Sequence, residues 1–206
     1  MMVVSMHSKI TIIWLIFTLS SFLVVSLASV NADDSTQQDA STEKNVIKTG
    51  IYAISIGNFE FTKGTYIIDF YLIFKWNNQN LSPSSFELMN GRAVSKEKIY
   101  EETINQSSEV WYRIQANLFI TPEFKNYPFD SQNLKIIIED SKYNTSTLIY
   151  STLTDFTGID DRFTLSGWNI ESYNFNVEEH EYPWGEEYSQ LVYMLLFLLL
   201  FFQVGF

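Results

Sequence analysis

The sequence predicts an all-β fold of about ten strands, arranged as a β-sandwich with Greek-key connections. Three observations carry that expectation. Apolar residues recur with period 2 over long stretches, aromatic residues make up 17% of the 206-residue chain, and no helical period runs outside the apolar segments at the two termini. Clusters of Gly, Pro, Asn, Asp and Ser punctuate the alternating runs at the spacing of short strands.

Taken in order, the chain begins outside that fold. His7 and Lys9 precede a mostly apolar run from Ile10 to Val30, and Val30-Asn31-Ala32 is a small-residue cleavage pattern. Residues 1–32 therefore read as an export signal ending at Ala32, although an apolar run of roughly 20 residues is also long enough to stay as an anchor. Residues 33–45 (DDSTQQDASTEKN) are polar and aperiodic, the composition of a disordered linker.

The folded body is expected from Val46. Ile51, Ala53 and Ser55 alternate with Tyr52, Ile54 and Ile56 as far as Gly57-Asn58. From Thr65 to Trp76, one face carries Tyr66, Ile68, Phe70, Leu72, Phe74 and Trp76, and the other the mixed set Ile67, Asp69, Tyr71, Ile73 and Lys75. Turn chemistry fills 77–85, Phe86 to Met89 is a short strand, and Asn90-Gly91 predicts a hairpin-type turn. Weak strands are expected near Lys98 to Thr103, and a clear one from Val110 to Ile120. Pro128 lacks an N–H donor, so Tyr127 to Gln132 reads as a connection into the strand Leu134 to Ile138. Leu148 to Ser151 is the next strand, Asp155 to Asp161 an acidic loop, and Phe163 to Asn174 another strand. A long acidic connection, Val177 to Glu187, then leads into a last strand from Tyr188 to Tyr193.

Charge and composition exclude several functions. With 13 Lys and Arg against 24 Asp and Glu, a net charge of −11 argues against nucleic acid as a partner. The chain has no cysteine, so its core alone must hold it. His7 lies in the export segment and His180 stands alone, so neither a histidine triad nor a histidine metal cluster can be built, and no cofactor or metal is expected. Asp155, Asp160, Asp161, Glu178, Glu179, Glu181, Glu186 and Glu187 form either a solvated acidic surface or weak calcium ligands, without EF-hand spacing. A glycosidase needs two carboxylates across a cleft, and nothing in the spacing selects such a pair. Asn80, Asn105 and Asn144 each begin a glycosylation triplet. These residues select no catalytic site, so an enzyme is not expected, and an exported carbohydrate-processing sandwich is the enzymatic alternative.

The run Tyr127-Pro128-Phe129-Asp130-Ser131-Gln132-Asn133-Leu134, followed by an apolar strand and Glu139-Asp140, resembles the signature loop of the pentameric ligand-gated ion channels, the Cys-loop receptors. Ser166 to Tyr173 (SGWNIESY) resembles the ninth strand of the same family. The family's bracketing cysteines fall on Ile120 and Leu134, a departure that matches the prokaryotic branch lacking the disulfide. The resemblance covers residues 46–193. It implies an extracellular ligand-binding domain on the extracellular or periplasmic face of a cell membrane, assembled as a homopentamer, with a small-molecule ligand held between subunits and coupled to a pore.

Carried over by position, the ligand residues would be Tyr71, Arg113, Ser141, Tyr143, Tyr182, Trp184 and Tyr188, with Gly185 permitting a sharp turn. Ser141 stands where amine-gated receptors have tryptophan, and Arg113 would suit an anion, so the ligand's charge stays open. Each aromatic also reads as ordinary packing. Coupling to the membrane would fall to Asn58, Phe59 and Glu60 and to Pro128, Phe129 and Asp130. The alternative is that Phe129 is core and Asp130 caps its own turn. After Tyr193 the resemblance ends, and residues 194–206 read as an apolar tail. That tail is either a truncated membrane segment or a short piece lying against a membrane or partner, and the pore helices of the family are not expected in this chain. A secreted, soluble ligand-binding pentamer without channel activity is the alternative function.

Overall fold

A computed structural model describes residues 45–60, 62–125 and 130–199. The export signal, most of the linker, Pro128, Phe129 and the tail from residue 200 lie outside the described residues. Ten strands follow in order: β1 (Asn45–Glu60), β2 (Thr65–Trp76), β3 (Phe86–Leu88), β4 (Gly91–Ile104), β5 (Ser107–Phe119), β6 (Ser131–Asp140), β7 (Leu148–Thr152), β8 (Gly158–Ile159), β9 (Trp168–Glu181) and β10 (Glu187–Leu199). They form two sheets, one ordered β4-β5-β2-β1-β7 with β8 also paired to β1, the other β3-β6-β10-β9. β7 and β8 run parallel to β1, and the other pairs are antiparallel.

The expected sandwich follows directly from the alternation. Tyr66, Ile68, Phe70, Leu72 and Phe74 of β2, with Ile114, Ala116 and Leu118 of β5, point inward from one sheet. Leu134, Ile136 and Ile138 of β6 and Leu191, Tyr193, Leu195 and Phe197 of β10 meet them from the other, and all are buried. Aromatic rings tie the ends of this core, with Phe86 5.4 Å from Phe74 and 5.1 Å from Tyr112, centroid to centroid.

Several expectations are corrected. Asn90-Gly91 is not a hairpin turn, because β3 pairs with β6 and β4 with β5, so the chain changes sheets there. Asn90 holds the crossing by donating Nδ2 to Lys135 O at 2.7 Å and accepting from Ile137 N at 3.1 Å. Gly91 is needed for close approach: a Cβ there would lie 2.3 Å from Asn117 O. The weak strands near Lys98 to Thr103 are one 14-residue strand, β4. Both its faces are largely exposed at the sheet's edge, so no alternation marks it, and its register shifts at Ala93/Ser95 and Lys98/Tyr100.

The long acidic connection is mostly strand as well. β9 continues to Glu181 as an edge strand whose acids face solvent, leaving only residues 182–186 to turn. Within the acidic loop, β8 pairs with β1, and Gly158 O accepts from the buried Tyr193 hydroxyl at 2.9 Å. β10 runs on to Leu199, so Leu195 and Phe197, read from the sequence as the start of an apolar tail, are core residues. A strand that buries alternate large side chains looks the same in sequence as a short apolar tail. Among the described residues no helix is long and apolar enough to cross a membrane.

Candidate functional site

Strands β9 and β10 end in a tight turn that gathers aromatic rings over a carboxylate. Glu181 pairs with Glu187 and His180 with Tyr188, after which Tyr182 N donates to Glu186 O at 2.8 Å and Gly185 N to Tyr182 O at 2.9 Å. Gly185 has φ +88°, a conformation that glycine adopts without strain and that closes the turn. The closure stacks Tyr182 on Trp184, with centroids 4.5 Å apart and planes within 13°. His180 and Tyr188 meet Tyr182 edge-on at 4.6 and 5.7 Å. Trp184 is 66% exposed, so the stack opens to solvent.

Beneath it lies Glu139, only 3% exposed although it sits on the outer face of β6. Tyr182 Oη donates to Glu139 Oε1 at 3.1 Å and Gln190 Nε2 to Oε2 at 2.6 Å. Glu186 accepts from both Trp184 Nε1 and Tyr188 Oη, at 3.2 and 3.1 Å. Burial, then the hydrogen bond to Glu139, pushes the Tyr182 hydroxyl up to about 12. Tyr188 is also raised, chiefly by burial and then by Glu186. The turn thus presents exposed aromatic faces above acceptors that carry negative charge, an arrangement that favours a cation over an anion.

Ser141 and Tyr143 stand at the end of β6, near but outside this stack. Asp140 organises them: it accepts from Ser85 Oγ at 2.8 Å and from the backbone of Lys142 and Tyr143 at 2.9 and 3.0 Å. Ser141 Oγ is spent on Ser85 O at 2.8 Å. Tyr143 packs partly against the core with the Lys142 ammonium 4.7 Å from its ring centre.

Tyr71 and Arg113 belong to a different surface. They are direct partners across β2 and β5, on the outer face of the larger sheet. Arg113 is held by Asp69 through two hydrogen bonds, Nη2 to Oδ2 at 2.7 Å and Nε to Oδ1 at 3.3 Å, and this partner raises its pKa further. Tyr71 lies 6.3 Å from Trp111, which contacts Tyr100 at 6.0 Å and Phe156 at 5.7 Å. Within one chain the structure does not bring this row together with Tyr182, Trp184 and Tyr188, because each set lies on the outer face of its own sheet.

At the far end of the molecule, Asn58 (φ 44°) kinks β1 before Phe59 and Glu60. Phe59 packs at 6.3 Å from Tyr66 and 6.2 Å from Trp168, and Glu60 pairs with Lys63 at 2.6 Å. Asp130 is 4% exposed, and its carbonyl accepts from Leu199 N at 3.2 Å. Sequence reasoning missed Glu139 and Trp111 as site residues. Both occupy outward positions of their strands, and only the folding of another element over them gives them a role.

The fold is a ten-strand β-sandwich with a distinct aromatic surface on the outer side of each sheet. No family model matches the chain. It is similar to a proton-gated ion channel of Gloeobacter violaceus, 24% identical over 152 residues that cover 64% of this chain and 42% of the channel. The match therefore spans less than half of that channel's length. This similarity to a channel is distant and supports a family relationship at most.

Proposed function

We propose that residues 46–199 are the extracellular ligand-binding domain of a pentameric ligand-gated ion channel, exported by the segment 1–32, and that the domain takes a small cationic ligand between subunits. The observation that carries this reading is the Tyr182–Trp184 stack above Glu139 and Glu186. Arg113, the anion-binding alternative, is already held by Asp69. A neighbouring copy presenting the Tyr71–Trp111 row would supply the second wall that one chain lacks. Ligand capture would bias a closed-to-open equilibrium through Asn58–Glu60 and Pro128–Asp130.

The name of the relative favours one further stimulus, the proton itself. Tyr182 and Tyr188 donate to Glu139 and Glu186, the contacts through which such a stimulus would reach the turn. Light scattering on the full chain in detergent tests the assembly, with a five-chain mass expected and a monomer refuting binding between subunits. Titration with tetramethylammonium at fixed pH then tests the ligand class. Saturable quenching of tryptophan fluorescence, lost in Trp184→Ala, is expected; quenching on acidification alone would assign the site to protons.

A further inference from the structure

A second site lies where β1 begins, and none of its residues belongs to the aromatic turn. A cavity of about 560 Å³ is lined there by Lys48, Lys75, Trp76 and Leu81, by Asn45, Asn77 and Asn78, and by Val46 and Ser107. That volume is of the size that holds small-molecule ligands. Its charge is the reverse of the chain's. The sequence carries 24 acids against 13 basic residues, yet among the described residues this cavity's lining holds two lysines and no carboxylate.

The lysines are placed unfavourably for one another. Lys48 and Lys75 are Cα partners across the antiparallel β1–β2 pair, a position where like charges destabilise a sheet. Lys75 is compensated, with Glu109 at 3.0 Å and its ammonium 3.9 Å from the centre of the Phe156 ring. Lys48 has no carboxylate partner among the described residues. Trp76 adds a second feature: its indole N–H is buried and has no acceptor among the described residues. The amide oxygens nearby are committed, since Asn45 Oδ1 accepts from Asn78 Nδ2 at 2.6 Å and Asn78 Oδ1 from Asn80 N at 2.9 Å. Among the described residues the lining holds no carboxylate, and beside its donors it offers the apolar surface of Trp76 and Leu81.

We propose that this cavity binds a small organic carboxylate, the anionic group at Lys48 and the apolar body against Trp76 and Leu81. Such a ligand would neutralise the Lys48–Lys75 repulsion. Occupancy would brace the start of β1 against the end of β2, a role separate from the aromatic turn.

Isothermal titration calorimetry of the full chain in detergent, at low salt and pH 7, with benzoate as probe, tests this. Saturable binding of one benzoate per chain is expected, weakened about tenfold or more by Lys48→Glu. Lys125→Glu, which changes the same charge elsewhere, should leave the affinity unchanged. Lys48 is exposed and Lys48→Glu removes a like-charge pair, so the unliganded melting temperature should not fall. Absence of saturable heat, equal affinity in wild type and Lys48→Glu, or displacement by inorganic phosphate as effective as by benzoate would overturn the proposal.

Discussion

The contact between Tyr182 and Glu139 is expected to latch the β9–β10 turn, and Tyr182→Phe tests it while keeping the ring stack. The variant deletes the 3.1 Å hydrogen bond to Glu139 Oε1, leaving the carboxylate its 2.6 Å bond from Gln190. Hydrogen bonds to charged acceptors contribute about 1.5–3 kcal/mol, and the partial exposure of the turn places this one at about 1.5 kcal/mol. Because 1.4 kcal/mol is tenfold in an equilibrium, local opening should rise about tenfold. The amides to watch are Tyr182 N–H and Gly185 N–H, whose acceptors are Glu186 O and Tyr182 O. Hydrogen exchange measured by mass spectrometry over 181–188 should accelerate by that factor while core peptides of β2 and β5 stay unchanged. Glu139→Gln completes a double-mutant cycle. If the two groups bond as described, the double variant loses little more than either single one, a coupling of about 1 kcal/mol or more. Additivity within about 0.5 kcal/mol would show that the latch is not there.

Other expectations concern the frame that holds the turn. Phe197→Ala empties a fully buried site beside Phe163 and should destabilise the domain by about 3–5 kcal/mol in chemical denaturation, whereas Leu198→Ala, on the outer face, should cost far less. Equal effects would detach the end of β10 from the core. Gly91→Ala forces a Cβ to within 2.3 Å of Asn117 O and 2.7 Å of Leu118 Cα, backbone atoms that cannot rotate away, so about 3 kcal/mol or failure to fold is expected. Tyr182 makes stability fall at alkaline pH: its folded value is raised from 10.0 to about 12, so its contribution is complete below pH 10 and is lost as pH rises through 12. Melting temperatures followed over that window should show a shallower alkaline decline in Tyr182→Phe.

Where one face of a strand is buried and the other wet, the sequence alone was sufficient. Thr65 to Trp76 is β2 to the residue, with the expected face inward, because period 2 in apolar residues has no competing explanation there. β4 and the far half of β9 were hidden for the opposite reason. As edge strands exposed on both faces they carry no alternation, and only their neighbours make them strands. The turn aromatics Tyr182, Trp184 and Tyr188 were recognisable by position, and the structure does bring them together. Glu139 was not, since its burial is conferred by Tyr182 from 43 residues away. Arg113 shows the same limit from the other side: its identity suggested an anion, but its cross-strand neighbour Asp69 had already claimed it.

The loop between β5 and β6 shows how the sandwich closes without the disulfide of the family it resembles. The positions that carry cysteine there are Ile120 and Leu134, and Leu134 is simply core, 1% exposed. The closure falls to a neighbouring side chain instead. Gln132, buried on β6, donates Nε2 to Glu123 O at 2.6 Å and accepts from Glu123 N at 3.2 Å, a two-bond amide clamp across nine residues. Ile120 N is anchored separately, to Gly64 O at 2.9 Å. A disulfide closing a loop of about 15 residues stabilises by roughly 3 kcal/mol, whereas two neutral hydrogen bonds net about 1 kcal/mol each. The clamp therefore contributes a comparable but smaller stabilisation, and does so by bonds made in the folded state rather than by restricting the unfolded chain.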